Sequence, residues 1–133
     1  MNIRYLLDTN AASYAINRKN SAFDRRLTRC TMAELAISAV TEGELHYGAA
    51  RRFSAPLESV IERFLLAITI IAWDSAAARR FGELRARLER EGQVMGGFDM
   101  MIAAQALALG VTLVTNDRAF ARIRQLRIED WTE

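Results

Sequence analysis

Four acidic residues of this 133-residue chain stand where short apolar runs give way to turns or helix starts. Asp8 closes the run at residues 3–7, Glu44 follows the run at 35–40, Asp99 opens the apolar segment 100–109, and Asp117 ends Thr115-Asn116-Asp117 after the run at 111–114. Each has an ordinary role open to it. Asp8 suits a helix cap or an Asx turn with Asn10. Thr41-x-x-Glu44 has the form of a capping box. Asp99 suits the positive end of a helix dipole, and Asp117 suits a turn. Taken together, the four offer only oxygen ligands, a set that favours Mg²⁺ or Mn²⁺ over Zn²⁺. A divalent cation held this way lowers the pKa of a water and neutralises a phosphodiester in line with it, which is hydrolytic nucleic-acid cleavage without a protein nucleophile. That chemistry does not choose RNA over DNA.

Convergence is what would separate such a site from four unrelated caps. Two carboxylates about 4 Å apart repel by roughly 4 kcal/mol at an effective dielectric near 20. Several such pairs are comparable with a domain's whole margin of roughly 5–15 kcal/mol. A divalent cation relieves the repulsion directly, and water or shifted protonation relieves part of it.

The elements that must position these acids alternate. Residues 3–7 form a short apolar run suited to a buried strand, and Asp8-Thr9-Asn10 opens a helix through about residue 16. A polar break at 17–20 precedes a basic helix at 21–29, and 35–40 is a second strand with Thr41 placed as N-cap of a third helix. Residues 51–55 read as loop. Pro56 starts a helix with an apolar stripe at Leu57, Val60, Ile61, Phe64 and Leu65. A strand at 69–73 leads to Asp74 and Ser75 as the cap of a helix that repeats Ala77, Phe81, Leu84 and Leu88 and ends at Gly92. A helix from near Phe98 then stops at Gly110. A strand at 111–114, a short helix at 118–123 and a strand at 126–129 follow, with Trp131 packed on the body. Alternating strands and helices predict an α/β fold with a mostly parallel sheet covered on both faces, in one domain spanning 1–133. In such a sheet the strands' carboxyl ends share one rim, and ligands bind there.

Composition narrows the function classes. Half the residues are apolar and a quarter charged, the balance of a folded domain, and the net charge of +2 does not by itself announce a nucleic-acid binder. Of the eighteen basic residues only Lys19 is lysine, and arginine's planar fork suits phosphate. Arg51-Arg52, Arg79-Arg80 and Arg118, Arg122, Arg124 and Arg127 are therefore candidates to flank a cleft, against the plainer reading of an arginine-rich genome. The lone Cys30 excludes an internal disulfide and has no evident base to activate it. His46 is two residues from Glu44, so the two do not share a helix face. Gly96-Gly97 lacks the spacing and lysine of a phosphate-binding loop. With no export leader or membrane span in view, the expected location is cytoplasmic.

The blocks YLLDTN at 5–10, TEGELHYGA at 41–49, GGFDMMIAAQALALG at 96–110 and LVTNDRAF at 113–120, in that order, resemble a PIN-domain ribonuclease and, more narrowly, the VapC toxins of type II toxin–antitoxin pairs. LRIEDW at 126–131 fits the same family, so the likeness covers nearly the whole chain. The resemblance implies a three-layer α/β/α PIN fold and makes Asp8 and Asp99 the principal metal ligands, with Glu44 as the family's glutamate. Asp117 holds the last acidic position, where many VapC-like sequences have asparagine. Thr115 and Asn116 resemble the polar residues that orient that edge. The family also implies Mg²⁺- or Mn²⁺-dependent cleavage of a structured RNA such as a tRNA, homodimerisation, and inhibition by a VapB-type antitoxin. The antitoxin would need an apolar groove, for which the helices near Tyr14 and Ile16 and at 57–66 are candidates.

Two alternatives remain. A receiver-like signalling domain also gathers acids around Mg²⁺ at a parallel sheet's edge, but Lys19 lies too early to be its late-strand lysine. A catalytically silent PIN module that binds RNA or a partner would keep the fold without the chemistry, and retention of all four acids speaks against it.

Overall fold

The computed structural model describes residues 2–133. Five strands form one sheet in the order β3-β2-β1-β4-β5, every neighbouring pair parallel. They are β1 (Tyr5–Leu7), β2 (Leu35–Ser38), β3 (Thr69–Ile71), β4 (Thr112–Val114) and β5 (Ile128–Glu129). Six helices connect or flank them: α1 (Thr9–Asn17), α2 (Ser21–Thr28), α3 (Ala39–Arg52), α4 (Ala55–Ala67), α5 (Ser75–Arg90) and α6 (Gly97–Leu109). Short 3₁₀ turns lie at Met32–Glu34 and Arg118–Arg122.

Why the sheet is buried on both sides is visible in three residues of β1. Tyr5 and Leu7 point into one core with Leu35, Ile37, Val114 and Trp131. Leu6, between them, points into the other with Ala36 and Leu113. That period of two over a continuous apolar run is the mark of a strand covered on each face. Residues of α1, α2, α3 and α4 fill the first core, and residues of α5 and α6 the second, which makes three layers. The receiver-like alternative is not this topology, because a flavodoxin-type sheet runs 2-1-3-4-5.

The helix over 97–109 buries Met100, Ile102, Ala103, Ala104, Gln105 and Ala106. Its alanines allow close approach to the sheet. Gly110 ends it at φ +69, a conformation L side chains rarely adopt, and turns the chain into β4. Because α6 runs back across the sheet before β4, its first turn returns to the rim where the strands end.

Boundaries differ from expectation where side chains decide. Thr41 does not cap α3: Ser38 does, its Oγ accepting from the Val40 N–H at 3.0 Å, so the helix starts earlier and Thr41 becomes a wholly buried helical residue. The capping box lies instead at Thr31 and Glu34. Helix α3 also runs through Arg52, leaving only Phe53 and Ser54 between it and α4, with Pro56 in the first turn of α4. Among the described residues no helix is long and apolar enough to cross a membrane.

Candidate active site

The pairing of β1 with β4 sets Leu7 opposite Val114, so the residues that follow, Asp8 and Thr115, leave the sheet side by side. Asp8 caps α1: its Oδ1 accepts the Ala11 N–H at 2.8 Å. It is also 4% exposed, far more buried than a cap needs to be. The cap expected of it is therefore present, and its depth of burial goes beyond what the cap explains. Burial pushes the Asp8 carboxyl from its ordinary 3.8 up to about 6. The Thr115 hydroxyl and the Ala11 N–H pull against that rise, and the charges of Asp99 and Asp117 add to it.

Asp99 stands in the first turn of α6, half-buried. Its carboxyl is raised too, first by desolvation and then by Asp117 and Glu44. Asp117 is exposed and caps the following 3₁₀ turn through the Ala119 N–H at 2.9 Å. Its own N–H donates to Thr115 Oγ1 at 3.0 Å. Thr115, 2% exposed, thus accepts the Asp117 N–H while its hydroxyl stands beside the Asp8 carboxyl and favours its charged form. Asn116 is exposed and turned toward α1, its Nδ2 donating to the Tyr14 hydroxyl at 3.3 Å.

Glu44 lies in the second turn of α3, on the same face as Thr41 three residues earlier. The Thr9 hydroxyl reaches across from α1 to Glu44 Oε1 at 2.5 Å and lies 3.3 Å from Thr41 Oγ1. Sequence reasoning gave Thr9 and Thr41 only local roles at helix starts. The available signal was their position, one beside Asp8 and the other one turn before Glu44. His46 is exposed, and Cys30 lies at the far side beside Arg26.

All four acids therefore belong to one rim: Asp99 and Asp117 act on Asp8, Asp117 and Glu44 act on Asp99, and at both Asp8 and Asp99 burial outweighs the repulsion. The close-packed quartet assumed in the repulsion argument is looser in fact. With side chains as they stand, no three His, Cys, Asp or Glu among the described residues close on one metal-sized point. The donor set nevertheless suits a hard cation. Among the described residues the ion pairs engage Glu34, Asp24, Glu129, Glu83 and Glu89, and none of the four rim acids. A buried carboxylate normally has a cationic partner, and Asp8 has hydroxyl and amide donors only.

A groove of about 210 Å³ opens beside Glu44 between α1, α3 and α4, floored by Ile16, Leu45, Leu57 and Ile61 and flanked by Arg51 and Arg52. Tyr14, expected with Ile16, instead stacks on Phe23 in the core, ring centroids 5.6 Å apart.

Comparison with known proteins gives a consistent picture. The PIN domain family matches residues 5–126. The chain is 38% identical over 132 residues to the tRNA(fMet)-specific endonuclease VapC of Shigella flexneri, covering 98% of this chain and 99% of that one. It is 35% identical over 131 residues to Ribonuclease VapC2 of Haemophilus influenzae, covering 97% and 98% of the two chains. The structure superimposes on DNA-bound VapBC from Salmonella typhimurium with a TM-score of 0.89 and 36% identity, over 97% of this chain and 98% of that one.

Proposed function

The chain belongs to the PIN-domain family, among the VapC ribonucleases, and from that premise we propose that it is a toxin endoribonuclease whose activity depends on Mg²⁺ or Mn²⁺. The observation that carries the reading is Asp8, a buried carboxylate at the strand rim, with Asp99 and Asp117 near and, among the described residues, no arginine or lysine paired with it. Asp8, Asp99 and Glu44 would hold the ion, with Asp117 at the solvent side. Bound there, it would lower the pKa of a water and offset charge on the scissile phosphate. The chain's own residues prepare that place. Thr115 fixes Asp8 relative to Asp117, Thr9 restrains Glu44, and burial of Asp8 limits bulk water near it. Exposed Arg118 beside Asp117, and Arg51 and Arg52 beyond Glu44, supply the fork-shaped donors that phosphates favour.

The substrate class in this reading is a structured RNA, a tRNA first, since the Shigella flexneri and Salmonella typhimurium relatives are named for tRNA(fMet). The groove between α1, α3 and α4 receives an antitoxin of VapB type, supported by its apolar floor, its arginine flank and the VapBC assembly of the Salmonella typhimurium neighbour. The same reading makes the toxin a homodimer, as its likeness to the VapC toxins implies. The experiment is cleavage of purified initiator tRNA by the protein in EDTA, Mg²⁺ and Mn²⁺, beside Asp8→Asn and Asp99→Asn. Cleavage only with a divalent ion and only by the unsubstituted protein is expected. Equal cleavage in EDTA, or by both variants, would remove the reading. Growth arrest on induction, reversed by the neighbouring open reading frame, tests the toxin role.

A further inference from the structure

Beside the acid rim, on the side of Glu44 away from the groove just described, lies a second cleft of about 540 Å³ lined by Ala39, Val40, Gly43, Glu44, Tyr47 and Phe98. Its lining is mostly apolar, and the aromatic rings at its border are left in water, Tyr47 64% and Phe98 61% exposed. Phe98 precedes Asp99 in the first turn of α6, while Tyr47 follows Glu44 by three residues on α3, so each ring is carried on the same turn or face as a rim acid. The cleft is thus continuous with the proposed reaction site through Glu44.

We propose that this cleft is a base-binding subsite, taking one unpaired nucleobase of the RNA adjacent to the scissile phosphate; this rests on the ribonuclease reading above. Single-stranded RNA is held by aromatic rings on which bases stack, because every base offers a flat π-face whatever its identity. Arg51 lies over the Tyr47 ring, 5.8 Å from its centroid, and adds a cation beside the stacking surface that suits the phosphate backbone. Gly43 also lines the cleft, and like Gly48 and Gly82 it has open space where a Cβ would stand. It sits inside α3 at an ordinary helical angle. Neither a turn nor packing within the chain asks for glycine there, although glycine weakens a helix. Its missing side chain keeps the floor of the cleft open.

The test couples a change in the protein to a change in the RNA. Single-turnover cleavage of initiator tRNA is measured for the unsubstituted protein and for Phe98→Ala and Tyr47→Ala, on intact RNA and on RNAs with one abasic nucleotide placed at each position flanking the cut. Removing one particular base should weaken apparent RNA binding about tenfold for the unsubstituted protein, the scale of one base–aromatic stack. The same removal should change little for the alanine variants. Phe98→Trp should keep the effect and Phe98→Leu should lose it, because planarity and not mere apolarity is required. Gly43→Leu should weaken binding of intact RNA, and Gly43→Ala should do so less while raising the melting temperature. Additive effects of protein and RNA changes at every position would overturn the subsite while leaving the ribonuclease reading intact. Absence of cleavage by the unsubstituted protein would overturn both. Conversion of a dimer to a monomer by the aromatic substitutions, or loss of antitoxin inhibition with unchanged RNA binding, would assign the cleft to a protein contact and overturn the proposal.

Discussion

Asp8→Asn should stabilise the protein in metal-free buffer, and the gain should depend on pH. In the folded chain the Asp8 carboxyl titrates at about 6 against an ordinary 3.8. At 1.36 kcal/mol per pH unit, keeping Asp8 ionised at neutral pH costs the fold about 3 kcal/mol. The group is buried, so little of this is screened away. Below pH 3.8 both folded and unfolded chains hold the proton and the cost vanishes. Between 3.8 and 6 only the folded chain holds it, so stability falls as pH rises through this window and levels off above it. Asparagine keeps the capping acceptor for the Ala11 N–H and carries no charge.

Thermal unfolding in EDTA should therefore show the asparagine variant ahead by up to about 3 kcal/mol at pH 7.5, roughly 10 °C for a domain of this size. At pH 4.5 the lead should shrink to about 1 kcal/mol. With Mn²⁺ added at pH 7.5, the unsubstituted protein should gain stability and the variant should gain less, because binding to the folded state alone raises its melting temperature. A lead that is the same at both pH values, or a variant less stable at pH 7.5 in EDTA, would refute the account of Asp8 as an unpaired buried charge.

Three other changes test neighbouring steps. Thr115→Val removes a donor to Asp8 and the acceptor of the Asp117 N–H; it should cost about 1–3 kcal/mol in urea unfolding and move the Asp8 titration, followed by carboxyl NMR, to higher pH. Thr9→Val releases Glu44 from its hydroxyl donor at 2.5 Å. It should cost about 1–2 kcal/mol and change Mn²⁺ affinity by calorimetry, with Thr9→Ser restoring both. Gly110→Ala forces a side chain into φ +69 and should cost about 1–2 kcal/mol in chemical denaturation, with RNA cleavage per folded molecule unchanged.

What was legible in the sequence was whatever depends on period and punctuation. The run YLL at 5–7 could be assigned to a strand because three buried residues in a row suit a sheet covered on both faces. Gly110 announced the end of α6 because glycine takes that left-handed angle without strain. The start of α3 was misplaced because Ser38 and Thr41 are both good caps, and only tertiary burial of Thr41 decides between them. The rim acids were found from their places after strands or at helix starts. Their partners were not, because the Thr9–Glu44 contact spans 35 residues and no local pattern encodes it. The apolar cleft at Tyr47 and Phe98 was equally invisible, since an aromatic residue at helical spacing reads as core until its exposure is seen.

The donors around the rim are hydroxyls and backbone amides where arginines were available in number, and this choice has a physical consequence. A guanidinium beside Asp8 would satisfy its burial by cancelling its charge, and the site would then have no electrostatic reason to take a cation. A threonine hydroxyl fixes the carboxylate's direction while leaving its charge uncancelled. Thr115 does this for Asp8, and Thr9 does it for Glu44. The arginines near the rim are placed one step outward, at Arg51, Arg52 and Arg118, where they remain exposed. Positive charge there attracts a polyanion toward the rim without neutralising the acids that would receive the ion. Moving one guanidinium inward, as in Thr115→Arg, should abolish Mn²⁺ stabilisation even if the fold survives, whereas Arg118→Ala should leave Mn²⁺ binding unaltered and weaken RNA binding chiefly at low salt.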